Sequence, residues 1–178
     1  MTPSIARLLI LSALAAILTA AWANPSPAAL AGLDAHEAVD LANAWKGNGV
    51  TTFATPTEVR FVFPDGTEVT VPMPEHEMLV SVAPYLVHTH PCATHFMSGC
   101  QGELVDAPVH VLATATDGTV LIDEVMPTQA NGFIDLWLPR DLTIDLQLRL
   151  DGLASIGRIA TFADSETCVT TFQFAATR

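Results

Sequence analysis

The residues with the clearest chemical potential lie close together, between positions 87 and 101. The segment reads Val-His-Thr-His-Pro-Cys-Ala-Thr-His-Phe-Met-Ser-Gly-Cys-Gln, and it carries His88, His90, Cys92, His95 and Cys100. His90 and Cys92 are two apart, so an extended backbone points both to one side. Cys92 and His95 are three apart, which suits one helical turn. Gly99 lets the chain fold back just before Cys100. Thiolate and imidazole together select late transition metals: copper, zinc, nickel or cobalt. Carboxylates would suit magnesium or calcium, and none lies inside the cluster. Met97 adds a thioether, a soft donor that favours monovalent copper.

The third and last cysteine, Cys168, is distant in sequence. It can join the loop only through the tertiary fold. An odd number of cysteines is a poor structural solution in an oxidising compartment, where a spare thiol is exposed to oxidation. Three thiols used together as metal ligands is a better one. Simpler readings stand beside it. Cys92 and Cys100 could form a plain disulfide closing a loop of about nine residues. Cys168 could be a small buried hydrophobe and Met97 a packing residue. His110 reads as a packed or exposed strand residue, and His36 and His76 as solvated.

The compartment follows from the N-terminus. Met1 to Ala23 has one charge, Arg7, then an apolar run from Leu8 to Trp22 that ends in Ala21-Trp22-Ala23. A positive start, a short apolar core and a small-x-small end make a secretory signal peptide over 1–23. N-terminal sequencing of the exported protein should therefore start at or near Asn24. A chain that kept Leu8 to Trp22 in the membrane would contradict this. The whole chain has 178 residues and a net charge of −12. Losing Arg7 with the leader makes the balance more acidic still. That excludes nucleic acid as a partner and argues against an anionic membrane surface. No second apolar stretch approaches membrane length.

The elements that must position the cluster can be read in order. Residues 24–33 are a Pro/Ala/Ser-rich linker. Residues 34–76 form a small helix-and-hairpin region. Its helix is capped by Asp34 with Glu37 three residues on, has Ala38, Leu41, Ala42 and Trp45 on one face, and ends at Gly47 and Gly49. A Thr-rich connector follows over 50–57. The hairpin turns at Asp65-Gly66. Residues 77–178 hold a short strand, the metal-binding loop and a run of alternating strands. Residues 143–150 alternate without error: Ile144, Leu146, Leu148 and Leu150 face inward, and Thr143, Asp145, Gln147 and Arg149 face outward. Cys168 opens a final strand to Phe174. The fold class is mostly β: an antiparallel β-sandwich-like C-terminal domain with a small α+β N-terminal part.

Several ordered blocks resemble the CueP family of periplasmic copper-binding proteins. They are Met78-Leu79-Val80-Ser81-Val82-Ala83-Pro84-Tyr85, His90-x-Cys92-x-x-His95, Cys100-Gln101-Gly102-Glu103-Leu104, Asn131-Gly132-Phe133, Leu136-Trp137-Leu138-Pro139-Arg140 and Thr167-Cys168-Val169-Thr170-Thr171. The resemblance implies a periplasmic protein that binds copper through Cys92, Cys100 and Cys168, supported by His95 and His90. It implies copper tolerance, delivery of copper to a periplasmic copper/zinc superoxide dismutase, and thiol-linked reduction of cupric to cuprous ion. The chain is not expected to be an enzyme, and a homodimer is possible. Two other readings remain open at this point. One is a disulfide-stapled secreted β-sandwich that docks to a partner. The other is a zinc protein using the same cysteines and histidines.

Overall fold

The structure is a computed structural model and describes residues 25–176. The leader read over 1–23 lies outside these residues. Pro27–Leu30, within the segment read as a linker, make a single 3-10 turn that buries Leu30. Helix α1 (Ala35–Ala44) starts as its sequence requires. The Asp34 side chain accepts from the Glu37 amide, and the Glu37 side chain accepts from the Asp34 amide. Its buried face of Ala38, Val39, Leu41 and Ala42, with Trp45 just beyond, lies on a three-stranded sheet.

That sheet is antiparallel, in the order β1 (Thr51–Ala54), β2 (Glu58–Val62), β3 (Glu68–Pro72). The β2–β3 hairpin turns at Gly66, whose φ of 84° is costly for any residue with a Cβ. Strand β1 occupies the segment read as a connector. The β-branched Thr51 and Thr52 with Phe53 suit a pleated backbone, and Thr52 and Ala54 are buried while Thr51 is exposed.

Beyond it, β4 (Glu77–Val82) pairs antiparallel with β7 (Ile134–Pro139). β4 also pairs in parallel with the two-residue β10 (Cys168–Val169). This parallel edge departs from the antiparallel pattern expected for the whole domain. The strand expected to run to Phe174 stops at Val169, although Phe172 and Phe174 remain buried. A five-stranded antiparallel sheet completes the fold, in the order β11 (Ala175–Ala176), β9 (Leu153–Ala160), β8 (Thr143–Leu150), β5 (Pro108–Ala115), β6 (Val120–Pro127).

Sheet β10–β4–β7 is the middle layer, and alternation along its strands serves two cores at once. Met78, Val80, Val82, Ile134, Leu136 and Leu138 pack against Val109, Val111, Ile144, Leu146 and Leu148 of the five-stranded sheet. The intervening Leu79 and Trp137 pack with α1 and β1–β3. His36, read as solvated, instead stacks on Trp137 with ring centroids 3.7 Å apart, and its Nε2 meets Glu77 Oε1 at 2.6 Å. Among the described residues no helix is long and apolar enough to cross a membrane.

Candidate metal centre

The cluster forms where three chain segments meet. The first is residues 85–101, which leave β4 through Pro84. The second is the edge strand β10, whose Cys168 lies opposite Ser81. The third is the turn at Asn131-Gly132, which delivers Phe133 into a small apolar pocket with Ala83, Cys100 and Cys168. Cys100 is placed by a short turn in which its amide donates to the Phe96 carbonyl at 2.7 Å. The chain then passes directly against the 131–132 turn, where the Gly102 amide donates to the Asn131 carbonyl at 2.7 Å. A Cβ on Gly102 would lie 2.4 Å from the Gly132 carbonyl oxygen. No side chain fits there, which is the physical reason for glycine in both blocks.

The three cysteines and two of the histidines come together. Cys92 and Cys168 form a disulfide, and Cys100 is free and buried. The sulfurs of Cys92 and Cys100 are 3.5 Å apart. The donor atoms of His90, Cys92 and Cys100 all lie within 4.8 Å of one another, as do those of His95, Cys100 and Cys168. Cys100 belongs to both groups and is the pivot of the site. The pairing of Cys92 with Cys168 differs from the Cys92–Cys100 disulfide weighed from spacing. Cys168 is brought beside the loop by its parallel pairing with β4, which spacing could not show.

His95 carries the strongest sign of ligation. It is fully buried, and neither Nδ1 nor Nε2 has a hydrogen-bond partner. A buried polar group without a partner is costly and demands an explanation. A metal ion accepting a ring lone pair supplies one. Burial, the largest influence, pushes the His95 pKa down to about 4. Asp135 opposes this, while Lys46 and His90 add to it. The ring is therefore neutral at ordinary pH, the form that binds metal. Burial also raises the Cys100 thiol above its usual range, against the Phe96 amide and the Lys46 ammonium, which favour the thiolate.

Met97, considered as a thioether ligand, is fully buried in the N-terminal core with Trp45, Phe61 and Leu79. It anchors the loop through packing. The side chain of His88 is exposed, and its amide is one of three that converge on a single carboxylate. Glu103 Oε2 accepts from Leu86 at 2.6 Å, Val87 at 2.9 Å and His88 at 3.3 Å. These bonds hold the Glu103 pKa below the usual carboxylate range.

Sequence reasoning missed several residues around the site. Lys46, just beyond helix α1, donates to the Cys100 carbonyl at 2.6 Å and to Gln101 Oε1 at 2.7 Å. Asp135, on the face of β7 opposite its apolar residues, accepts from Ser81 Oγ at 2.5 Å, Gln129 Nε2 at 2.9 Å and Asn43 Nδ2 at 3.2 Å. No local signal marks either. His110, apart from the site, has its Nε2 3.0 Å from Asp123 Oδ1 on the five-stranded sheet.

A β-rich fold with a small helical N-terminal part, holding sulfur and imidazole donors in a half-buried cluster, defines a protein that binds a soft transition metal. The profile of the periplasmic copper-binding protein CueP matches residues 37–173, most of the chain. The chain belongs to the CueP family of periplasmic copper-binding proteins. It is similar to the crystal structure of S.CueP at 33% identity, covering 82% of this chain and 91% of that one, with a TM-score of 0.77. Comparison with individually curated proteins finds no match.

Proposed function

We propose that this protein takes up copper in the periplasm as cuprous ion, reduces cupric ion with its own thiols, and passes the metal on. The site residues in this reading are Cys92, Cys100 and Cys168, with His95 and His90. The observation that supports it is a redox pair and a ligand set in one place. The Cys92–Cys168 disulfide lies against the free thiol of Cys100 and the orphaned ring of His95. In the reduced protein, two cupric ions each take one electron from the Cys92 and Cys168 thiolates. The two sulfurs join as a disulfide and two cuprous ions result. Cys100, His95 and His90 remain as donors that suit the soft product ion. One round consumes the pair, so the chain acts as a binding protein and a stoichiometric reductant, and not as an enzyme.

Burial is graded across the site. Cys168 and His95 are buried, His90 and Cys92 are half-buried, and His88 is exposed. That gradient supports transfer to an acceptor, in this reading a periplasmic copper/zinc superoxide dismutase. A homodimer is compatible with it.

The test is anaerobic mixing of fully reduced protein with cupric ion. Two cuprous ions should appear per chain, free thiols should fall from three to one, and peptide mapping should find Cys92 joined to Cys168. Three surviving thiols and unreduced metal would overturn the redox step. One reactive thiol that never responds to metal would favour the disulfide-stapled docking module instead.

A further inference from the structure

We propose that Thr167 is the positioning residue of the copper site: its buried hydroxyl holds the backbone of His95 so that the ring faces the sulfurs. The proposal rests on His95 being a copper ligand.

A metal-binding histidine is ordinarily oriented by a hydrogen bond from its second ring nitrogen to a carboxylate, a carbonyl or water. His95 has none, since both ring nitrogens are unpartnered, and its ring touches Phe133 at a centroid distance of 4.5 Å. The ring is therefore placed by its packing on Phe133 and by the backbone that carries it. Two hydrogen bonds fix that backbone. The His95 amide donates to Thr167 Oγ1 at 3.1 Å, and the His95 carbonyl accepts from the Ala54 amide at 2.9 Å. Thr167 Oγ1 in turn donates to the Ala54 carbonyl at 2.7 Å. One hydroxyl thus accepts from the metal loop and donates to strand β1, using both of its capacities.

The same residue also places a sulfur. Cys168 follows it directly, and the amides of Thr167 and Cys168 both donate to the Ala93 carbonyl, at 3.0 and 3.2 Å. The Thr167 carbonyl accepts from the Ser81 amide at 2.9 Å. Segments 93–95 and 167–168, far apart in sequence, are zipped together by one almost fully buried residue. Thr167 also joins the N-terminal sheet to the metal loop, which gives the small N-terminal region a role in metal binding.

The test compares Thr167→Val, which keeps the shape and removes the hydroxyl, with Thr167→Ser, which keeps the hydroxyl. Each reduced protein is titrated with cuprous ion against a chelator, its fold is checked by circular dichroism, and its copper is examined by X-ray absorption. Thr167→Val should lose about ten- to hundredfold in affinity, the usual effect of removing a group that orients a ligand. Its copper should lose the His95 share of the imidazole nitrogen scattering and keep the sulfur. Thr167→Ser should restore both. If Thr167→Val does not fold, Thr167→Ala is tested to the same expectation. If neither folds, the hydroxyl supports the whole fold and the proposal is overturned. Wild-type affinity with the nitrogen signal intact in Thr167→Val, or no rescue by Thr167→Ser, also overturns it. Wild-type copper without a nitrogen ligand overturns the underlying assignment of His95, a separate result visible before any Thr167 variant is made.

Discussion

Cys100→Ser should weaken cuprous binding by well over the ten- to hundredfold expected for a lost orienting group, because it removes a ligand and not a support. Cys100 is the free thiol, and it belongs to both groups of donors that could share an ion. Cys92→Ser and Cys168→Ser should each damage binding severely in reduced protein, but each leaves Cys100 and a histidine in place. Competition against a cuprous chelator measures all three. Wild-type affinity in Cys100→Ser would refute the site. Zinc provides the contrast. It prefers four ligands and needs imidazole to complete its shell, whereas cuprous ion draws most of its affinity from two or three sulfurs. His95→Ala should therefore cost zinc affinity more than copper affinity. Copper binding should also weaken as pH falls, because the thiol must release its proton and burial already holds the Cys100 pKa above its usual value.

Metal-free protein should lose about 3 kcal/mol of stability through His95 alone between pH 7 and pH 4. The folded pKa of His95 is about 4, against 6.5 for the unperturbed side chain. Above pH 6.5 the ring is neutral in both the folded and unfolded chains, and the stability is fully present. Below it the unfolded chain binds a proton that the folded chain refuses. Stability is lost as pH falls, and the loss levels off only once the folded ring also titrates near pH 4. Carboxylates titrate in the same window, so the informative quantity is the difference between the wild type and His95→Leu. Urea unfolding at several pH values should show a steeper acid loss in the wild type. Parallel curves would mean that His95 is not the buried neutral ring described here. Bound copper should steepen the acid loss, because the ion keeps the ring and the thiolates unprotonated in the folded chain while the unfolded chain takes those protons up.

Much of this protein was legible without coordinates, and the legible parts share a local cause. The capping box at Asp34 and Glu37, the turn at Asp65-Gly66 and the alternation over residues 143–150 each depend on neighbours a few positions apart. The chemical nature of the donors was equally legible, since thiol and imidazole are properties of single residues. β1 was missed because four residues with two threonines read equally well as a connector, and pairing with β2 decided the matter.

What the tertiary structure alone decided is which donors meet. Cys168 reaches the loop because β10 pairs in parallel with β4, a contact no spacing encodes. Met97 is core and not ligand because the N-terminal sheet covers it. Lys46, Asp135 and Thr167 each lie at the site only through partners some fifty or more residues away. His95 shows the division most clearly. Its side chain could always bind a metal, but its burial, and with it the neutral ring and the two orphaned nitrogens, exists only after three distant segments have closed around it. Ligand chemistry is local and survives in the sequence, whereas desolvation is collective and appears only in the fold.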